Sequence, residues 1–175
     1  MSDFFEVIRQ RRSIRRFGST SIAEAPLTQI LEAANRAPSA GNAQAYRIFI
    51  VKQAALRQRL ARAAGNQTCV AEAPVVLVFC ADPARSTAMW GAKGAQLLCV
   101  QDTTVACAYA QLAATALGLA SVWLGAVIEA EAIREILGLP EDLWPLIVLP
   151  VGYPAEAPAL RNRRLLSDLV QEIAP

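Results

Sequence analysis

Hydrophobic and polar positions recur along this chain in two periods, and the changes from one to the other mark out its elements. Phe4, Phe5, Val7 and Ile8 fall at helical spacing and predict a first helix over residues 3–10. Leu27, Ile30, Leu31 and Ala34 form a second helical stripe, with Pro26 suited to its first position and Pro38 placed to stop it. A loop over 38–44 leads into a short strand-like run, Tyr46–Val51. A third helix is expected over 54–64, with Leu56, Leu60 and Ala63 inward and Gly65 as its C-terminal stop. Val75-Val76-Leu77-Val78-Phe79-Cys80 is apolar without a break, the pattern of a strand buried on both faces. Residues 84–96 are the least regular, and Met89 and Trp90 in them read either as core or as a lid. Asp102 suits the N-cap of a long helix ending near Leu117. That helix is apolar nearly all round and is expected to run through the middle of the assembly. Gly118 permits a turn into a strand over 121–125, followed by a helix over 130–137 and a last buried strand over 146–151. Helices and strands mix without strict alternation, which predicts an α+β sheet flanked by helices and not a Rossmann winding.

Composition narrows the function classes. At 175 residues a single domain over 1–175 is expected, with room for a sizeable core. Hydrophobic residues make up 54% and charged residues 18%, so part of the apolar surface should be hidden in an oligomer. The net charge of +2 argues against a dedicated nucleic-acid binder. Residues 103–128 carry no charge, which raises the question of a membrane span. Gln111, three threonines, Ser121 and Gly118 interrupt that stretch, and a buried helix followed by a buried strand explains it better. Asp3 and Glu6 precede any apolar run, so no secretory signal is expected. Cys69, Cys80, Cys99 and Cys107 form no Cys-x-x-Cys pair and read as buried free thiols of a reducing, cytoplasmic compartment. The chain has no histidine, which excludes Ser-His-Asp triads, Cys-His dyads and His-based metal sites; no metal is expected.

The chemistry is carried by Arg11-Arg12-Ser13-Ile14-Arg15-Arg16-Phe17, a basic turn where the first helix stops. Guanidinium groups and a hydroxyl can converge on one phosphate there. A solvated face and a nucleic-acid patch are the competing readings. A second basic cluster, Arg161-Asn162-Arg163-Arg164, stands in the tail and by itself reads as solvated. Pro38–Gln44 by itself reads as a turn whose Asn42 and Gln44 satisfy local backbone, and Trp123 as core. No strand is followed by Gly-x-Gly-x-x-Gly, and there is no Walker A sequence; Gly91-Ala92-Lys93-Gly94 lacks the hydroxyl after its lysine.

Taken in order, several segments resemble the FMN-dependent nitroreductase family. They are the basic turn, Ala37-Pro38-Ser39-Ala40-Gly41-Asn42-Ala43-Gln44, Asn66-Gln67 ahead of Ala73-Pro74-Val75-Val76, Gln101-Asp102, Gly118–Gly125, Pro150–Pro154 and the tail arginines. The resemblance implies a three-layer α/β/α fold with a mixed, mainly antiparallel central sheet. It also implies an intertwined homodimer with two FMN sites at its interface. Carried onto this chain, Arg11, Ser13 and Arg15 with Arg161 and Arg163 would grip the flavin phosphate, and Arg12 would lie near the pyrimidine edge of the ring. Pro38, Ser39 and Asn42 would come from the second protomer and cover the ring. Asn66, or Gln67 if the register slips, would face its polar edge, and the backbone of Leu124, Gly125 and Ala126 would face N5. No side chain would act as the catalyst, since the chemistry belongs to N5, oriented by the backbone of Gly125 and Ala126. Two departures stand out. The family often has Pro-Trp where Ala45-Tyr46 stands, which is expected to loosen the loop, and a second glycine where Ala120 stands, which is expected to alter that turn.

The function so implied is oxidation of NAD(P)H by FMN and reduction of a small electron-poor acceptor, a nitroaromatic or quinone, in ping-pong fashion. No nucleic acid and no membrane take part in it. Two alternatives stand beside it. One is a flavoenzyme of the same fold that dehydrogenates a peptide or fragments the flavin. The other, more distant, is a nucleic-acid-binding dimer.

Overall fold

The sheet at the centre is made from the chain's longest apolar runs. The computed structural model describes residues 3–173. Its strands are β1 (Tyr46–Val51), β2 (Val75–Ala81), β3 (Ala120–Ser121) and β4 (Trp144–Gly152), in the order β1-β2-β4-β3. All three ladders are antiparallel. At the β3 edge Ser13 adds an isolated parallel bridge to Ser121, outside the four strands.

Every residue of β2 is buried. Its side chains alternate between two cores, as the pleat requires. Val76, Val78 and Cys80 face α3 (Ala54–Ala63), α4 (Thr68–Glu72) and α7 (Ala130–Leu137), packing with Leu60, Val70 and Ile133. Val75, Leu77 and Phe79 face α2 (Glu24–Asn35) and α6 (Cys99–Ala116), packing with Ile30, Ala106 and Ala110. Helices therefore cover both faces of the sheet, giving an α/β/α stack. α1 (Phe4–Gln10) precedes this core, and Val7 is its one buried residue.

The departures from the sequence pattern have local causes. α2 starts at Glu24, so Pro26 is its third residue and not its first; the N–H at that position has no helical partner, and proline is tolerated there as well. α4 is only five residues long, too short to show a helical stripe. The irregular stretch is helical. Pro83 opens α5 (Pro83–Lys93), and the Asp82 carboxylate caps it by accepting from the Arg85 N–H at 3.1 Å. Gly91, at φ +57°, breaks α5. A single π turn, Gly94–Leu98, then joins it to α6. α6 thus begins ahead of Asp102, which is not its N-cap. Beyond Ala120–Ser121 the expected third strand persists only as one bridge from Leu124 to Val148. Ala120 lies in β3 and is not among the residues with positive φ, so the missing glycine does not distort that turn.

α6 buries one face, including Asp102, Thr103, Ala106, Cys107, Ala110 and Gln111, while Tyr109 and Leu117 are exposed on the protomer. Among the described residues no helix is long and apolar enough to cross a membrane.

All four cysteines are free and buried. Burial pushes their thiols up, Cys80 to about 12. Native protein at pH 8 is therefore expected to give essentially no reaction with a thiol reagent, and four equivalents after unfolding. Rapid labelling of the native protein would show that one of these sites opens readily.

Candidate functional site

The chain leaves α1 at Arg11 and runs on extended along the sheet edge. Ile14 and Phe17 are buried and anchor this segment, while Ser13 and Arg15 point to solvent. The Ile14 N–H donates to Ser121 O at 3.1 Å. After β4 the chain returns beside the same segment. Gly18 N–H donates to Tyr153 O at 2.9 Å, Ala155 N–H donates to Arg16 O at 2.9 Å, and the Glu156 carboxylate accepts from the Arg15 N–H. This antiparallel return lays the tail against the basic turn.

Between them lies a cavity of about 750 Å³, lined by Arg11, Arg12, Ser13 and Arg15 from the turn, Arg161 and Arg163 from the tail, and Gln10 at the end of α1. Its carboxylate, Glu6, is already engaged. Arg9 pairs with it at 2.6 Å and Gln10 donates to it, and both hold its pKa below the usual carboxylate range. Arg16 turns away toward Glu72, at 3.9 Å. Arg12 folds onto the carbonyls of Arg9 and Arg11, the latter at 2.7 Å. Arg11, Arg15, Arg161 and Arg163 have no ion pair among the described residues. The Arg11 guanidinium is pushed below its ordinary pKa, first by burial and then by its neighbours Arg163 and Arg12. Cations gathered here with no ion pair among the described residues, beside the Ser13 hydroxyl, form a donor set for a phosphate ester. The volume suits a nucleotide-sized ligand.

Asn66 and the Leu124–Ala126 stretch lie outside that cavity. Gly65 and Asn66, at φ +65° and +58°, end α3 in left-handed conformation and leave Asn66 exposed, with Gln67 half-buried. The Glu129 N–H donates to Ala63 O at 2.7 Å, and a Cβ on Gly65 would sit 3.2 Å from Val127, so this turn abuts the 124–127 stretch. Leu124 does not offer its backbone to a ligand. Its N–H donates to Val148 O at 3.1 Å and its carbonyl accepts from Val148 N–H at 2.9 Å. The bridge to β4 that orients this stretch consumes both groups. Gly125 and Ala126 have no such backbone partner among the described residues.

Pro38, Ser39 and Asn42 do not line the arginine cavity of their own protomer. Their loop is strained, with Gly41, Asn42 and Gln44 at φ +59°, +58° and +49°. Left-handed non-glycine residues cost about 1–3 kcal/mol each and persist only when their surroundings hold them. The Gln44 N–H donates to Ser39 Oγ at 2.9 Å, and the Gln44 amide donates to Asn42 O at 2.9 Å and Asn42 Oδ1 at 3.0 Å. From α5, Arg85 donates to Ala43 O and the Trp90 indole donates to Ala40 O at 3.3 Å. From α6, Asp102 accepts from the N–H groups of Ala40 at 2.9 Å and Ala45 at 3.3 Å. The loop is tied, not loosened, by having alanine at 45, because a proline there would lack the N–H that Asp102 receives. Met89 and Trp90 are half-exposed and rest on Gly41, where a Cβ would come within 2.5 Å of Met89 Sδ. No local pattern points to Asp102, Arg85 or Trp90 as loop anchors, because their partners lie 42 to 62 positions away.

The model of the nitroreductase family matches residues 8–153. The chain is 35% identical over 162 residues to a putative NADH dehydrogenase/NAD(P)H nitroreductase of Archaeoglobus fulgidus, covering 89% of this chain and 88% of that protein. It is 32% identical over 175 residues to an FMN reductase [NAD(P)H] of Bacillus subtilis, covering 93% of this chain and 70% of that one. Among solved structures, the NADPH:FMN oxidoreductase of Vibrio harveyi complexed with NAD+ superimposes with a TM-score of 0.89 at 30% identity, over 98% of this chain and 77% of that chain.

Proposed function

The chain belongs to the nitroreductase family, and from that membership we propose that it is an FMN-dependent oxidoreductase that takes electrons from NAD(P)H and passes them to a small electron-poor acceptor such as a nitroaromatic or quinone. The observation that carries the reading is the cavity in which uncompensated arginines from both ends of the chain converge. Arg11, Arg15, Arg161 and Arg163 would hold the FMN phosphate by charge-assisted bonds, with the Ser13 hydroxyl as a neutral donor. Arg12 would lie at the pyrimidine edge and Asn66 at the polar edge of the ring. Bound FMN supplies hydride transfer at its N5, a chemistry that requires no histidine and no metal. The N–H groups of Gly125 and Ala126 would orient that region, and one pocket would serve donor and acceptor in turn.

The active form in this proposal is a homodimer of one FMN-binding domain per chain, over 1–175, in the cytoplasm. Pro38, Ser39 and Asn42 of the second protomer would complete each site and exclude water from the ring. Supporting this, Phe4 and Phe5 on α1 and Leu160, Leu165, Leu166, Leu169, Val170 and Ile173 in the tail are all more than half exposed on the protomer. Apolar surface of that extent marks a contact face.

The experiment is direct. Protein purified with added FMN is expected to be yellow and to bleach on addition of NAD(P)H under argon, with colour restored by a quinone. A colourless protein that cannot be reconstituted overturns the proposal. A yellow protein that NAD(P)H does not bleach would retain the cofactor and reject the electron donor.

A further inference from the structure

We propose that Asp102 is the positioning residue for the Pro38–Gln44 loop and, through it, for the face that this loop adds to the flavin site of the second protomer; the second part rests on the FMN reading above.

Asp102 is 3% exposed and lies inside α6, the longest helix of the protein. The π turn ahead of it joins α6 to the preceding helix, so its carboxylate has no helix end to cap. Its two oxygens reach out of the helix instead and bracket the strained loop. Oδ1 accepts from Ala40 N–H, just before the left-handed run of Gly41, Asn42 and Gln44, and Oδ2 accepts from Ala45 N–H, just after it. The other bonds to the loop are of different kinds. Ser39, Asn42 and Gln44 bond one another and would move with the loop. Arg85 and Trp90 reach it from α5, which is itself broken at Gly91. Among the described residues only Asp102 ties both ends of the strained run to α6.

The task calls for an acid. Two N–H donors meet one side chain, and a carboxylate presents two acceptors and no donor. An asparagine of the same shape would accept one bond and turn an NH₂ group toward the other N–H. No Lys or Arg pairs with Asp102 among the described residues, and its hydrogen-bond partners there are the two backbone N–H groups. A buried carboxylate is costly in that setting. Stability gives little reason for it, whereas the placement of Ala40 and Ala45 does.

Asp102→Asn and Asp102→Ser separate these roles; serine leaves one acceptor and introduces no buried amide. The first measurement is amide hydrogen exchange on the protein without flavin. The expected result is exchange at least tenfold faster across residues 40–46 in either variant, with β2 and the second half of α6 unchanged. The second is FMN affinity by quenching of flavin fluorescence, with a Kd at least tenfold higher in both variants. Unaltered exchange at 40–46 overturns the tether. Faster exchange with unaltered FMN affinity overturns its role at the flavin site. A general rise in exchange over β2 and α6 would mean that Asp102 supports the whole fold, and this too rejects the proposal. A wild-type protein that binds no FMN overturns the functional reading, and with it any role of Asp102 beyond the loop.

Discussion

Replacing Arg11 and Arg15 together by alanine is expected to weaken FMN binding by about 3–6 kcal/mol, roughly a hundredfold to ten-thousandfold in Kd. At the proposed site each guanidinium would contribute charge-assisted bonds of about 1.5–3 kcal/mol to a bound phosphate. Neither spends its charge on a carboxylate within the described residues. The same substitution should not harm the protein without its ligand. Arg11 is held below its ordinary pKa by burial and by the adjacent Arg163 and Arg12, so its removal relieves a repulsion. The melting temperature of the flavin-free variant should therefore match or exceed that of the wild type. Flavin fluorescence titration beside thermal unfolding reads both quantities. Equal FMN affinity in variant and wild type would remove the arginine cavity from consideration as the phosphate site.

Phe79→Ala is expected to cost about 3–5 kcal/mol of stability. Phe79 is fully buried near the middle of β2, opposite Ile48 of β1 and Ile147 of β4, and it packs in the core that α2 and α6 cover. The ladder to β4 shifts register immediately after it, between Phe79 and Cys80. A domain of this size is stable by about 5–15 kcal/mol, so the loss is a large share of the total. The midpoint of thermal unfolding should fall by roughly 6–20 °C. A fall of only a degree or two would mean that the layer of helices collapses onto the gap. The arginine cavity lies at the sheet edge and not in this core, so the folded fraction should still bind FMN normally. Two separable phenotypes, one in affinity and one in stability, would thus map onto two parts of the molecule.

The sheet and most of its helices were legible because their signals are local. The continuous run from Val75 to Cys80 can only be a strand with both faces covered, and the stripes in α2, α3 and α7 have unambiguous spacing. Residues 84–96 were not legible, because the helix there is broken by a glycine and continued through a π turn, which scrambles the helical period. Asp102 misleads for a related reason. A short acid before an apolar helix is an ordinary start signal, and nothing nearby tells that its oxygens are claimed by a loop 57 and 62 residues away. The two basic clusters are visible as charge, but their meeting depends on the return of the chain after β4, which the backbone pairing of Phe17 with Pro154 accomplishes. Leu124 illustrates the limit at a single residue: the bridge that occupies its own N–H depends on β4, and nothing in its neighbourhood along the chain signals it.

The closing of the cavity by Arg161 and Arg163 onto Arg11 also sets a timetable for biosynthesis. A growing polypeptide can pair β1 with β2 while it is still attached to the ribosome, yet the cavity stays open on one side until Arg163 has left the exit tunnel. At roughly 5–20 residues per second that delay is on the order of ten seconds. Under the proposed phosphate site, nucleotide capture would then wait on the return of the chain after β4, and a product ending short of Arg161 would lack two of the four guanidinium groups.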